Sequence, residues 1–459
     1  MIIGGGPGGY EAALAAAQLG ATVTVVDSEG IGGSAVLTDC VPSKTLVATS
    51  EVLTLAAESA ELGVRFAGRP AAADVVGVDL ATVNSRVKRL AQAQSEDITA
   101  RLLAEGVDVV RGAARLDGPS RVVVQTGSRA GEGLDADVVL VATGATPRTL
   151  PGDPPDGERV LTWTQVYDLD RLPERLVVVG SGVTGAEFAS AYTALGCEVV
   201  LVSSRDHVLP GEDPDAASVL EEVFTRRGMR LLGRSRAERV QRDADGVTVR
   251  LTDGREVSGS HCLLAVGSLP NTGGLGLPEA GVTLDEHGYV RVDRVSRTSA
   301  RGVYAAGDCT GVLMLASVAA MQGRIAMYHA LGDAVSPLDL RTVASTVFTE
   351  PEIATVGWTQ ADVDAGRIEA RVVKLALSGN ARAKMQGSTD GFVKLLSRPG
   401  TGIVVGGVVV APRASELIFP VSLAVEHALT VDQLAHTFTV YPSLSGSVAE
   451  AARMARTRG

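Results

Sequence analysis

Two stretches of the chain carry glycines at a spacing suited to holding a dinucleotide pyrophosphate. The first is Gly4-Gly5-Gly6-Pro7-Gly8-Gly9, which contains G-x-G-x-x-G and runs into the helix-like stretch Tyr10-Glu11-Ala12-Ala13-Leu14-Ala15-Ala16-Ala17. A loop without side chains lets the backbone approach the phosphates, and the helix N-terminus adds free N–H groups and a partial positive charge. Ala21-Thr22-Val23-Thr24-Val25-Val26 then reads as a second strand ending on Asp27, about twenty residues past the glycines, where a carboxylate takes ribose hydroxyls. One such motif is a weak signal, because a glycine-rich turn with no ligand has the same letters.

The pattern recurs downstream as strand Leu176-Val177-Val178-Val179, loop Gly180-Ser181-Gly182-Val183-Thr184-Gly185, a helix from Ala186 and strand Glu198-Val199-Val200-Leu201-Val202. Two complete units are a much stronger signal than one. The second unit ends in Ser203-Ser204-Arg205-Asp206, without an acid directly after the strand. With no carboxylate there to repel a 2′-phosphate, Ser204 and Arg205 predict a site that accepts NADPH. The plainer alternative is that Arg205 decorates a solvated loop.

The elements that must position these loops are legible as apolar runs opening into glycine. Val138-Val139-Leu140-Val141-Ala142-Thr143-Gly144 and Cys262-Leu263-Leu264-Ala265-Val266-Gly267 read as buried parallel strands that end at a cofactor. In Gly302-Val303-Tyr304-Ala305-Ala306-Gly307-Asp308 a carboxylate follows a strand and a glycine, placed to accept hydrogen bonds from a polyol chain. Taken singly, each could be an ordinary turn.

At 459 residues the chain exceeds one hydrophobic core and predicts two to four domains. Apolar residues at 45%, charged residues at 21% and abundant Gly and Ala give the profile of a soluble α/β protein. The net charge of -11 and the lack of a basic run argue against a nucleic-acid partner. No uncharged apolar stretch reaches the roughly 18 residues that a bilayer span needs. The cysteines Cys40, Cys197, Cys262 and Cys309 are scattered without C-x-x-C spacing, which fits a reducing cytoplasm and offers no zinc site or other metal centre. Because the first residues are already motif, no signal peptide is expected. Met1-Ile2-Ile3 is only a stub of strand, as a start a few residues further upstream would leave.

In order and spacing the motifs resemble the two-dinucleotide flavoprotein family of glutathione reductase and dihydrolipoamide dehydrogenase, over essentially the whole chain. The resemblance implies an α/β fold with two Rossmann-like dinucleotide-binding domains, for FAD and for NADPH or NADH, plus a C-terminal α+β dimerisation domain. Its divisions fall at 1–150 (FAD domain, first part), 151–270 (NAD(P)H domain), 271–340 (FAD domain, second part) and 341–459 (interface domain). The last contains Val347-Phe348-Thr349-Glu350-Pro351-Glu352-Ile353-Ala354, similar to the family's V-F-T-x-P-E-I-A, and implies a homodimer. Carried over by position, Gly4, Gly6, Gly9 and Asp27 would hold the ADP half of FAD, and Thr143, Gly144 and Asp308 its remaining diphosphate and ribityl portions. Gly182, Gly185, Ser204 and Arg205 would serve NAD(P)H. Gly33, Ala113, Gly180, Gly267, Leu315 and Ala316 complete the implied cofactor-binding set. Lys44 matches the family lysine beside the flavin and Glu187 its ion-pair partner, a pair that would steady the charge appearing on reduction. A solvated helix position is the alternative for Glu187.

The resemblance breaks where the family keeps its sulfur chemistry. The segment G-G-x-C-x-x-x-x-C-x-P-S-K reads here Gly32-Gly33-Ser34-Ala35-Val36-Leu37-Thr38-Asp39-Cys40-Val41-Pro42-Ser43-Lys44. Ala35 replaces the first cysteine, and Cys40 alone cannot attack and resolve a disulfide. It reads as a small buried hydrophobe. Near the C-terminus the family's H-P-T-x-S-E is Tyr441-Pro442-Ser443-Leu444-Ser445-Gly446, so the proton-shuttling His and its orienting Glu are both replaced. Val183 stands where glutathione reductase has a tyrosine over the flavin, which predicts a more open nicotinamide face.

Joint loss of both halves of the relay, with the nucleotide motifs kept, matches a branch of the family that lacks the disulfide and reduces quinones. The expected reaction is hydride transfer from NAD(P)H to FAD and on to a small-molecule quinone, with Lys44, Glu187 and Tyr441 as catalytic residues. Tyr441 would hydrogen-bond a quinone oxygen, or else pack at the dimer interface. Competing readings are a soluble pyridine nucleotide transhydrogenase, a dihydrolipoamide dehydrogenase-like protein, and a non-catalytic FAD-binding redox sensor.

Overall fold

The computed structural model describes residues 1–66, 69–70, 77–150 and 154–456, which divide into two compact units.

The first unit comprises residues 1–45, 84–148 and 267–339. Its centre is a parallel sheet in the spatial order Val303–Ala305, Val139–Val141, Ile2–Ile3, Thr24–Asp27, Asp108–Arg111. The first strand in sequence lies in the middle, as right-handed crossovers to both sides require. Val139, Leu140 and Val141 are completely buried because both sheet faces are covered. On one face Ala12, Ala13, Ala15 and Ala16 of helix Pro7–Gln18 pack with Ala326 and Met327 of helix Ala316–Ala330. On the other, Leu116, Val122 and Val124 of a small antiparallel sheet close a second core. The two helices approach to backbone contact: a Cβ on Gly323 would overlap the carbonyl of Gly8, so glycine and alanine are the residues that fit.

The second unit comprises residues 46–83, 149–266 and 340–459. One of its sheets is parallel, in the order Val160–Thr162, His261–Leu264, Arg175–Val179, Glu198–Val202, Arg230–Leu232. Another is antiparallel, in the order Ala344–Val347, Glu352–Gly357, Val404–Ala411, Phe392–Ser397, Arg371–Ala376. Helices Phe419–Glu426, Val431–His436 and Gly446–Ala455 supply the apolar layer against this second sheet. The unit thus joins a nucleotide-type sheet to an α+β layer.

Buried charge ties these two sheets together. Lys394, 2% exposed on the interior strand Phe392–Ser397, donates to both carboxylate oxygens of Asp213 at 2.8 and 2.7 Å and pairs with Asp215 at 2.7 Å. Asp213 also caps helix Pro214–Arg226, accepting from the N–H groups of Asp215 and Ala216. The lysine bonds hold the Asp215 carboxyl below the usual range, although burial opposes them; Lys374 adds a second cation. Removing one member of such a pair leaves the other buried and uncompensated. Lys394→Met should therefore lower unfolding stability by about 3 to 5 kcal/mol, read as a fall in the denaturant midpoint. Adding Asp213→Asn, which keeps a capping acceptor, should restore most of it.

Candidate nucleotide-binding and redox site

Each unit contains one strand–loop–helix cradle, and the two match closely. In the first, Gly6 precedes helix Pro7–Gln18 with φ -68° and ψ -176°; in the second, Gly182 precedes helix Val183–Ala194 with φ -71° and ψ -173°. Neither helix has a side-chain cap, so first-turn N–H groups are left for an anion. Gly4 and Gly180 have φ of +105° and +108°, conformations that favour glycine. A Cβ on Gly4 would overlap the carbonyl of Ala142, and one on Gly180 that of Ala265. Likewise Gly9 and Gly185 admit no Cβ because the carbonyls of Gly4 and Gly180 lie against them. The helix from Val183 begins earlier than Ala186, where the sequence suggested it.

At Gly6 and Gly182 the situation is reversed. A Cβ on Gly6 would come no nearer than 4.0 Å to Gly33 Cα, and one on Gly182 meets nothing within 4 Å. The protein itself leaves room for a side chain at both positions. Gly33, with φ +57°, closes on the first loop, its Cβ position lying 2.8 Å from Gly6 Cα.

Beyond the first loop, Asp27 accepts from the N–H groups of Gly5 at 2.7 Å, Glu29 at 2.8 Å and Gly30 at 2.5 Å, so its carboxylate also fastens the glycine loop to the following turn. It lines a cavity of about 390 Å³ with Ile31, Gln92, Thr99, Val109 and Arg111. The cavity opens where strands Thr24–Asp27 and Asp108–Arg111 end, with Asp27 and Arg111 in register. Gln92, Thr99 and Arg111 carry no motif and were not legible as site residues.

Thr143 donates its hydroxyl to Asn271 O at 2.7 Å, and Asn271 returns its amide N–H to Thr143 O at 2.9 Å. Its side chain therefore shapes the turn that contains Gly144, at φ +68°. Asn271 is a positioning residue that the motifs did not mark. Ala113 lies just past the Asp108–Arg111 strand, its N–H held by Thr126 Oγ at 2.8 Å. Leu315 precedes helix Ala316–Ala330, another helix start without a side-chain cap. Asp308 follows Gly307 on a tight turn, and burial, reinforced by Asp39, raises its carboxyl to about 6. Gly267, at φ +93°, is exposed and has open space around its Cβ position.

The glycines, Asp27 and the cavity fit an extended dinucleotide in the first unit, and the second cradle fits a second one. Strand register identifies the residue in the acid position of that second cradle. Ile3 pairs with Val26 and Val179 with Val202, so Ser203 stands where the first cradle has Asp27. Ser203 is buried and accepts from Ser181 Oγ at 2.7 Å, the counterpart of the Gly5–Asp27 bond. Ser204 and Arg205, which the sequence singled out, are exposed beside it.

Glu187 is 4% exposed, which excludes the solvated alternative, and accepts from the Phe348 N–H at 2.9 Å. Lys44 is half-buried near the start of helix Cys40–Glu58. Cys40 opens that helix and Ala35 lies on the separate helix Gly33–Leu37. Cys197, Cys262 and Cys309 are free thiols. Burial raises the thiol of Cys309 to about 11 and that of Cys197 to about 12, and Cys262 higher still, so these three stay protonated at neutral pH. Tyr441 is 86% exposed, on a segment where Phe438 and Val440 are also exposed, so a single chain does not bring it to buried Glu187. Gly446 starts the last helix, held by Ser443 Oγ. Among the described residues no cluster of His, Cys, Asp and Glu could hold a metal ion, and no helix is long and apolar enough to cross a membrane.

Comparison with known proteins agrees with this geometry. Residues 1–323 match the pyridine nucleotide-disulphide oxidoreductase family and residues 343–452 its dimerisation domain. The chain is 57% identical to an NAD(P)H dehydrogenase (quinone) of Mycobacterium tuberculosis, covering 99% of this chain and 93% of that protein. It is 34% identical to dihydrolipoyl dehydrogenase 2 of Haloarcula marismortui, covering 99% and 96%. The crystal structure of LpdA from Mycobacterium tuberculosis superposes with a TM-score of 0.94 at 56% identity, covering 99% of each chain.

Two outcomes test the site. Gly182→Ala should fold and carry flavin normally while raising KM for NAD(P)H about tenfold, because a methyl forced against a bound pyrophosphate costs roughly 1 to 3 kcal/mol; Gly6→Ala should instead lower the flavin recovered per chain. Asp308 has a folded pKa above its unfolded value, so the apoprotein binds the extra proton and loses stability as pH rises from about 4 to about 6. Asp308→Asn should flatten that part of the profile in urea titrations.

Proposed function

The chain belongs to the pyridine nucleotide-disulphide oxidoreductase family, and from that premise we propose that it is an FAD-dependent NAD(P)H:quinone oxidoreductase working without a disulfide. The observation that carries this reading is a selective loss: Ala35, Tyr441 and Gly446 remove the sulfur pair and its proton shuttle, while both cradles keep matched geometry. The 57% identical relative whose name specifies quinone reduction supports it. When bound, FAD supplies the acceptor for the nicotinamide hydride and the two-electron donor to the quinone.

The chain's own residues position and exclude. The first cradle, with Asp27, Thr143, Gly144 and Asp308, is assigned to FAD, and the second to the nicotinamide dinucleotide. Lys44 is assigned to supply fixed positive charge at the flavin ring. Glu187 is suited to its role as a steadying anion because burial and the Phe348 N–H hold its carboxylate in place. Val183, 44% exposed at the helix start, leaves room above the nicotinamide side for a planar acceptor. Ser203 at the acid position, with Ser204 and Arg205 beside it, favours NADPH over NADH.

The four divisions at 1–150, 151–270, 271–340 and 341–459 are retained in the proposal, as is a homodimer in which the exposed run through Phe438, Val440 and Tyr441 meets the second copy. The scattered cysteines, without C-x-x-C spacing, suit a cytoplasmic setting.

Stopped-flow reduction followed by mixing with a quinone panel tests the reading. NADPH should bleach the flavin, and menadione or benzoquinone should restore its colour well above the rate of free flavin, with lipoamide inert. Reoxidation by thio-NAD in preference to quinones would replace this reading with transhydrogenation, and absence of bleaching would replace it with a non-catalytic role.

A further inference from the structure

Arg205 does not stand alone at the end of the second cradle. Its strand, Glu198–Val202, has the parallel strand Arg230–Leu232 as its outer neighbour, and the loops leaving both are laced together by the backbone. Ser203 donates its N–H to Leu232 O at 2.8 Å, Ser235 to Ser203 O at 2.7 Å, and Arg234 to Arg205 O at 2.9 Å. The last bond sets the two arginines side by side. Arg234 has φ +55°, a conformation uncommon for a residue with a side chain. Its Nε donates to Asp206 Oδ1 at 2.7 Å, a bond that does not use the Nη amino groups, and its side chain is 81% exposed.

The first cradle also carries a basic residue at the end of its outer strand, one register position before the counterpart of Arg234. Arg111, at the end of the strand outside Thr24–Asp27, lines the same cavity as Asp27. By register, Gly233 of the second cradle corresponds to Arg111, and Arg234 is the next residue.

We propose that Arg234 is a specificity-determining residue that, together with Arg205, binds the 2′-phosphate of NADPH. It acts in two ways. Its Nη groups give the phosphate a second guanidinium, for which planar paired N–H donors are well matched. Its Nε bond also neutralises Asp206, the carboxylate of this loop, which would otherwise repel the phosphate. Ser203, carrying no charge in the acid position, is the condition for both. The proposal rests on assigning the second cradle to a nicotinamide dinucleotide and on its preference for NADPH.

The test measures KM for NADPH and NADH with the FAD-loaded enzyme and a fixed quinone, and inhibition by adenosine 2′,5′-bisphosphate against 5′-AMP. Wild type should bind the bisphosphate more tightly than 5′-AMP. Arg234→Gln should raise KM for NADPH about tenfold, leave KM for NADH and kcat unchanged, and erase most of the bisphosphate advantage. Arg234→Lys should recover part of it, and Asp206→Asn should lower KM for NADPH. Equal changes for both nucleotides in Arg234→Gln would make the residue merely structural and overturn the proposal. Loss of discrimination in Arg205→Gln but not in Arg234→Gln would overturn it while leaving the NADPH preference intact. If wild type itself binds the bisphosphate no better than 5′-AMP, the preference fails and the proposal with it.

Discussion

In both cradles a helix N-terminus is pressed so closely on the strand feeding it that backbone meets backbone. The carbonyls of Ala142 and Gly4 in the first, and of Ala265 and Gly180 in the second, occupy the volumes that Cβ atoms of Gly4, Gly9, Gly180 and Gly185 would need. That contact fixes the direction of the uncapped helix end, and with it the aim of the N–H groups and the helix dipole. Around it the rest is arranged for steric reasons: helices rich in small residues at their closest approach, and fully buried β-branched strands, because both faces are covered.

The same constraint separates two kinds of glycine in one motif. Gly4, Gly9, Gly180 and Gly185 are demanded by backbone packing, whereas Gly6 and Gly182 have open space around their Cβ positions. This separation explains how the redox chemistry could change without disturbing the scaffold. Ala35, Tyr441 and Gly446 lie outside both loops, so replacing sulfur and imidazole there costs the cradles nothing. What stays is a pair of matched strand–loop–helix cradles, with Glu187 kept in a buried bond to the Phe348 backbone.

Charge plays two different parts within the second unit. Lys394 between Asp213 and Asp215 is locked away from solvent and joins the parallel sheet's helix Pro214–Arg226 to the antiparallel sheet. Arg205, Asp206 and Arg234 form an exposed group, and exposed ion pairs add little stability.

Local spacing was enough to read the two strand–loop–helix units, the alternation of strands and helices, and the loss of the sulfur relay, because each depends on residues within one turn or crossover of one another. Asp27 was legible for that reason, and so was the missing acid after Val202. Sequence pointed to Ser204 and Arg205 beside that position, and the pairing of Val179 with Val202 places Ser203 where the first cradle has Asp27. Gln92, Thr99, Arg111 and Asn271 had no signature, since they reach their places through long-range strand and helix neighbours. Nor could spacing bring Arg234 beside Arg205: that meeting is made by two adjacent parallel strands whose order follows from crossover connections across the sheet. The sequence by itself determined which nucleotide loops and which redox groups the protein has; the tertiary structure decided which side chains stand around them, because sheet order and register are long-range properties of the packed chain.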